Sequence, residues 1–219
     1  MMKRRHFTAQ VFAGAAALGL APLARAQQQR AAFVEGTHYV RLSQPLAAPA
    51  DGKVEVIEFF WYGCPHCNSF EPMLEAWARK LPADVAFRRV PVAFREEPFA
   101  AHQRIYYALE ALGLVEQMHR RVFFAIHNER QRLDKPQDIA AFMAKNGVDS
   151  AKFLEAYNSF GVQTKQRQAR QLADAYKIDG VPAIGVHGRW FTSGTLAGSL
   201  DRSLAVADHL IGLVRGAKR

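Results

Sequence analysis

The sequence predicts an α/β fold in which one strand-and-helix domain is split by a helical insertion, and three observations carry that prediction. Val54 to Tyr62, the helical pattern that starts at Cys64, and Val85 to Phe94 form a strand–helix–strand succession, the unit of a parallel pair. From Phe99 to about Ala175 only helix-period apolar spacing is found. Strand character then returns at Ala183 to His187 and Arg189 to Thr192, joined across Gly188. The chain has 219 residues, 49% of them hydrophobic by type, enough for one sizeable core and a subsidiary one.

The N-terminus comes first. Lys3, Arg4 and Arg5 precede an apolar run, Val11 to Leu23, and Ala24-Arg25-Ala26 has the small-x-small pattern of a cleavage site. The run is shorter than the ~20 residues a membrane-crossing helix needs. Residues 1–26 therefore read as a cleaved signal peptide, and the protein as exported. Whether the general or the twin-arginine route is used stays open, since adjacent basic residues suit both. Loss of Lys3, Arg4, Arg5 and Arg25 lowers the formal charge from +9 to +5. A mildly basic surface of this size could attract anions, but no basic stripe interleaved with aromatics marks a nucleic-acid binder.

The elements follow in order. His38 to Leu42 suits a short edge strand, and Pro45 to Gly52 is a loop that closes on an Asp-Gly turn. Val54 to Tyr62 is β-branched and aromatic, as a central strand requires, and Gly63 ends it. Phe70, Met73, Leu74 and Trp77 share one face of the next helix, and Pro72 lies inside it as an expected kink. The block from Phe99 begins with Ile105, Leu109 and Leu112 on one helix face. Val115, Met118, Val122 and Phe123 mark a second helix, Pro136 starts a third, and Phe153, Leu154 and Tyr157 mark a fourth. A fifth is expected from about Thr164 to Tyr176. Leu204, Ala207, Ile211 and Val214 define the apolar face of a closing helix, Leu200 to Val214. The expected organisation is thus 27–97 and 176–219 as the two parts of one α/β domain, with 98–175 inserted between them.

The chain contains only two cysteines, Cys64 and Cys67, in the run Cys64-Pro65-His66-Cys67. A bridge between them closes too short a loop to remove much unfolded-state entropy, so redox chemistry explains the pair better than stability does. The strand-to-helix junction gives a mechanism. A helix N-terminus presents unpaired N–H groups and positive potential, which favour a thiolate at Cys64. Cys67 lies one turn further along the same face, in reach of a disulfide. Pro65 suits the first helical turn, and His66 could add positive charge. A stabilised thiolate favours the reduced pair, so the disulfide form tends to be donated to other thiols.

Rival readings remain. A structural zinc site needs about four ligands, and His66, His102, His119 and His127 lack ligand spacing; no metal is expected. Copper(I) suits two thiolates, but no Met/His-rich segment accompanies them. Gly180-Val181-Pro182, just before a strand, is an ordinary turn or a cis-proline turn by its local sequence.

Taken together, Glu58-Phe59-Phe60 leading into Cys64-Pro65-His66-Cys67, the helical block and Gly180-Val181-Pro182 resemble the DsbA-type periplasmic thiol–disulfide oxidoreductases, from about Thr37 to Val214. The resemblance implies a thioredoxin-like fold with an inserted α-helical domain. It implies that Cys64 is the exposed cysteine that forms mixed disulfides and Cys67 the more buried one that resolves them, with no cofactor beyond their disulfide. It implies a cis Pro182, with Val181 offering backbone groups to a substrate peptide. Reduced exported polypeptides would be the substrates of a monomeric enzyme, re-oxidised by a DsbB-like membrane quinone reductase. Glu58 matches an acidic residue beneath the family's active site, and Arg89, on the neighbouring strand, is its expected partner; the alternative is a Glu58 that faces solvent. Trp61-Tyr62-Gly63 is similar to thioredoxin, which also carries a Trp just before its first cysteine, and Trp190 and Phe191 border the groove or belong to the core. The same fold run as a reductase or isomerase, or a Cu(I)-binding thiol protein, are the alternatives to a disulfide oxidase.

Overall fold

A computed structural model describes residues 33–47 and 49–217. The expected signal peptide, residues 1–26, lies outside the described residues.

Five strands form one mixed sheet: β1 (Val40–Arg41), β2 (Val54–Phe60), β3 (Val85–Pro91), β4 (Ala183–Val186) and β5 (Trp190–Ser193), in the order β1-β5-β4-β2-β3. β2 and β3 are parallel, and the remaining pairs are antiparallel. Helix α1 (Pro65–Ala78) connects β2 to β3. Between β3 and β4 come α2 (Phe99–Ala111), α3 (Val115–His127), α4 (Pro136–Lys145), α5 (Ser150–Asn158) and α6 (Phe160–Tyr176). A single-turn α7 (Gly194–Ala197) and α8 (Leu200–Ala217) complete the described chain.

β2 is an interior strand, between β4 and β3, and both of its faces are covered, which suits an almost continuously apolar run. Val54 and Val56 pack with Phe70 and Leu74 of α1 and with Leu210 of α8. Ile57 and Phe59 pack toward the helical block, where the Phe59 and Tyr176 rings lie 5.1 Å apart. Tyr176 comes so close to β4 that a Cβ on Gly185 would stand 2.6 Å from its ring; the glycine is there because the ring needs that space.

Several boundaries differ from expectation. β2 stops at Phe60 rather than Tyr62, and β3 at Pro91 rather than Phe94; the Val92 N–H makes the last bond between them, to the Phe60 carbonyl at 2.8 Å, where β2 ends. β1 is two residues long. α6 starts at Phe160, four residues before the expected Thr164, because the Ser159 hydroxyl caps it by accepting the Val162 N–H at 3.2 Å. Pro72 lies within α1, which continues past it to Ala78.

Candidate active site

α1 begins directly after the end of β2, and that junction builds the site. Cys64 is the N-cap of α1: its extended backbone turns the chain into the helix, and its Sγ accepts the Cys67 N–H at 3.4 Å. Pro65 follows at the first helical position, where no N–H is needed. Gly63 lies beneath the Trp61 indole, so tightly that a Cβ there would collide with the ring. Trp61 in turn stacks on Phe99 of α2, centroids 3.9 Å apart, which ties the approach to the cysteines to the helical block.

The two sulfurs are free thiols in this structure and differ in environment. Cys64 keeps 7% of its surface exposed and Cys67 none. Cys64 is thus the reachable one, although more enclosed than the resemblance implied. Its Sγ–H donates to the Val181 carbonyl at 3.4 Å, a contact between residues 117 positions apart. The Val181–Pro182 peptide bond is cis. Hydrogen bonding from the Cys67 side chain, together with the His66 and Cys67 N–H groups and the His66 charge, outweighs burial and lowers the Cys64 thiol from 9.0 to about 6. Burial pushes the Cys67 thiol well up, and the hydrogen bond and charge of Cys64, with Glu58 when it is ionised, push it in the same direction. One sulfur is set to be a thiolate and the other a thiol.

Beneath them lies a buried charged cluster. Glu58 has no exposed surface, so it does not face solvent. It stands directly opposite Arg89 in the β2–β3 register, with Arg89 Nε 3.0 Å from its Oε2. The Nε hydrogen, however, is directed at Glu71 Oε1, 3.3 Å away, and Arg89 Nη2 donates to Glu71 Oε2 at 2.9 Å. Neither Glu58 oxygen has a hydrogen-bond partner among the described residues. Burial therefore dominates at Glu58 and, with the Glu71 charge, raises its carboxyl well above the usual range. Glu71 is held below it: its burial is outweighed by hydrogen bonds from His119 and Arg89 and by the Arg89 charge.

The sequence reading placed Cys64, Pro65, His66, Cys67, Glu58, Arg89, Val181 and Pro182, and the structure brings these together around one helix terminus. It missed Glu71, although Glu71 follows Cys67 by one helical turn and shares its face. His119 and Tyr62 carried no local signal. His127 Nε2 lies 2.8 Å from the Tyr62 carbonyl, so α3 contributes two histidines to this chain segment. His102 instead meets the Arg132 carbonyl at 2.8 Å.

A groove of about 750 Å³ opens beside Cys64, lined by His66, Gly180, Val181, Pro182, Phe191 and Leu200 among others. Phe191 thus borders the groove, whereas Trp190 belongs to the core.

A thiol pair with divergent acidities, at a helix N-terminus facing a cis-proline turn on a mixed sheet, defines a thioredoxin-fold thiol–disulfide oxidoreductase. Residues 89–201 match the family of DsbA-like thioredoxin domains. The thiol:disulfide interchange protein DsbA of Burkholderia cepacia is 45% identical over 92% of this chain and 94% of its own length. Its counterpart in Pseudomonas aeruginosa is 41% identical over 93% and 96%. A crystal structure of the Pseudomonas aeruginosa protein covers 85% of this chain and 96% of that one, with a TM-score of 0.82 and 42% identity. An oxidoreductase of Neisseria meningitidis gives a TM-score of 0.75 at 28% identity over 86% and 97%. The chain belongs to the DsbA-like family, with a thioredoxin-like fold and thiol–disulfide oxidoreductase activity.

Proposed function

We propose that Cys64 and Cys67 are the redox centre of a periplasmic dithiol oxidase that passes its disulfide to reduced exported polypeptides. The observation that carries this reading is the split between the two sulfurs: Cys64 lowered to about 6 and Cys67 raised. A substrate thiolate attacks Cys64 Sγ, the Cys64–Cys67 bond breaks, and Cys67 leaves with the electron pair and takes up a proton. A second substrate thiolate then attacks the substrate sulfur of the mixed disulfide. Cys64 departs as a thiolate that neutral pH leaves unprotonated, which makes it a good leaving group.

Attack falls on Cys64 because Cys67 has no exposed surface. Val181, beside the thiol, offers its backbone to an extended peptide, and the adjoining groove accepts side chains with little sequence preference. Pro65 and His66 shape and charge the thiolate site. Glu58, with Arg89 beside it, is placed to supply the proton that Cys67 needs. The reaction uses the cysteines' own disulfide and no further cofactor. A DsbB-like membrane quinone reductase restores that disulfide, and the protein works as a monomer. Export follows from residues 1–26 with cleavage near Ala26; 27–97 and 176–219 form the thioredoxin-like domain, and 98–175 the inserted one.

The test is the reduction potential of the pair, by equilibration in glutathione buffers. A value well above thioredoxin's, about −270 mV, is expected. A value close to it would overturn the oxidase reading in favour of an exported reductase. Cys67→Ser should in addition trap polypeptides on Cys64.

A further inference from the structure

The buried cluster beneath the cysteines extends further than the thiol chemistry requires, and its far end lies in the helical block. Tyr62 Oη is 2.8 Å from His119 Nδ1, His119 Nε2 is 3.0 Å from Glu71 Oε1, and Glu71 Oε2 is 2.9 Å from Arg89 Nη2. Tyr62 is fully buried, His119 and Glu71 nearly so. The hydrogens in this chain can be assigned from its chemistry. Burial keeps the Tyr62 phenol protonated, and His119 Nδ1 is the acceptor within its reach. An O–H buried without an acceptor is costly, so Tyr62 donates to Nδ1. The proton of a neutral imidazole is then on Nε2, and that N–H donates to Glu71.

Two carboxylates share the single guanidinium of Arg89, and burial disfavours both being charged. Glu71 receives two hydrogen bonds from Arg89 and one from His119, whereas Glu58 receives none among the described residues. Without His119 that asymmetry narrows from three hydrogen bonds to two. We propose that His119, oriented by Tyr62, is a positioning residue that holds the negative charge on Glu71 and thereby leaves the exchangeable proton on Glu58, beside Cys67.

The groups facing His119 agree with this assignment. Glu71 and Glu75 face it from α1, Arg89 from β3, Tyr106 from α2 with ring centroids 5.9 Å apart, and Tyr62 from the segment after β2. Burial lowers His119 and keeps the ring neutral. The helical block thus sets a proton position in the strand core through one ring. Only the consequence for Cys67 rests on the redox role proposed above.

The test reads the carboxyl groups directly, by infrared spectroscopy of the reduced protein, with Glu58→Gln and Glu71→Gln to assign the C=O band of a protonated acid. At neutral pH the parent band should vanish in Glu58→Gln, and Glu71→Gln, which removes the Glu71 charge and leaves Glu58 alone with Arg89, should lower the midpoint of the remaining Glu58 band. In His119→Leu the midpoint of the Glu58 titration should fall by about one pH unit, a tenfold redistribution, and Glu71→Gln should then remove part of the band. His119→Gln, whose amide N–H can replace Nε2–H, should restore the parent pattern, and Tyr62→Phe should give a smaller fall. Mixed-disulfide formation by His119→Leu should slow several-fold at neutral pH, with the difference vanishing in acid, where both carboxyls are protonated. An unchanged Glu58 midpoint in His119→Leu overturns the proposal; if that variant does not fold, an unchanged midpoint in Tyr62→Phe overturns it. A parent protein without oxidase activity would defeat the proposed function and leave this carboxyl assignment standing.

Discussion

A change of pH should alter the oxidising power of the pair in a way that the Cys64 environment determines. The perturbation is a shift from pH 5 to pH 8 while the protein equilibrates with glutathione, whose thiols are ordinary. Cys64 titrates at about 6 in the folded dithiol against 9.0 for an unperturbed thiol. Its folded value is depressed, so the stabilisation of the reduced form is complete above about pH 9 and is lost as pH falls through about 6. At pH 7 the thiolate outnumbers the thiol about tenfold, a gain of about 1.4 kcal/mol, equivalent to about 30 mV for a two-electron couple. At pH 5 the gain is close to zero; at pH 8 it is about 2.7 kcal/mol. The thiol is partly open, and water screens its partners there, so the discounted rise in the glutathione equilibrium constant between pH 5 and 7 is about threefold to tenfold. The assay quantifies oxidised and reduced protein after acid quenching. An equilibrium constant that stays flat across this range would refute the argument that a stabilised Cys64 thiolate drives the reaction.

The thiolate's partners can be separated by substitution. Cys67→Ala removes the strongest of them, and the Cys64 midpoint, followed by thiolate absorbance, should rise by about one to two units; Cys67→Ser should stay nearer 6. Arg89→Met leaves two buried acids with no guanidinium between them and should cost about 3–5 kcal/mol in urea unfolding of the reduced protein. A loss below about 1 kcal/mol would mean that the cluster is already neutral without Arg89. Gly185→Ala drives a methyl into Tyr176 and should destabilise by about 1–3 kcal/mol, read as a lower thermal midpoint in both redox states.

What the sequence revealed follows the range of each interaction. The cysteine pair is local: spacing, the preceding strand and Pro65 place it at a helix N-terminus without any tertiary information. Glu58 and Arg89 were within reach because an acid in so apolar a strand needs a partner, and a parallel neighbour supplies candidates. The β2–β3 register then put these two directly opposite. Pro182 was legible only through resemblance, since nothing local brings residue 181 to Cys64. Glu71 announced itself by its helical phase with Cys67, a signal the reading left unused. Tyr62 and His119 are different in kind, because their contact depends on how α3 packs over the end of β2. The strand overruns have a similar cause: Trp61 and Tyr62 favour β structure, yet stacking on Phe99 and the bond to His119 engage them outside the sheet.

The site works by separating two needs that conflict at a single place. A good leaving thiolate needs donors and positive potential, and the N-terminus of α1 supplies both to Cys64. A sulfur that must accept a proton after bond cleavage needs the reverse, a buried setting with an acid that still holds its proton. Cys67 is one helical turn deeper, where burial and the Cys64 sulfur raise its thiol and Glu58 is close enough to interact with it. The same turn of helix that makes a disulfide geometrically possible therefore also sets the acidity gap. Moving the pair along α1 would preserve the bond and lose the gap, so the function depends on where the helix starts as much as on the cysteines themselves.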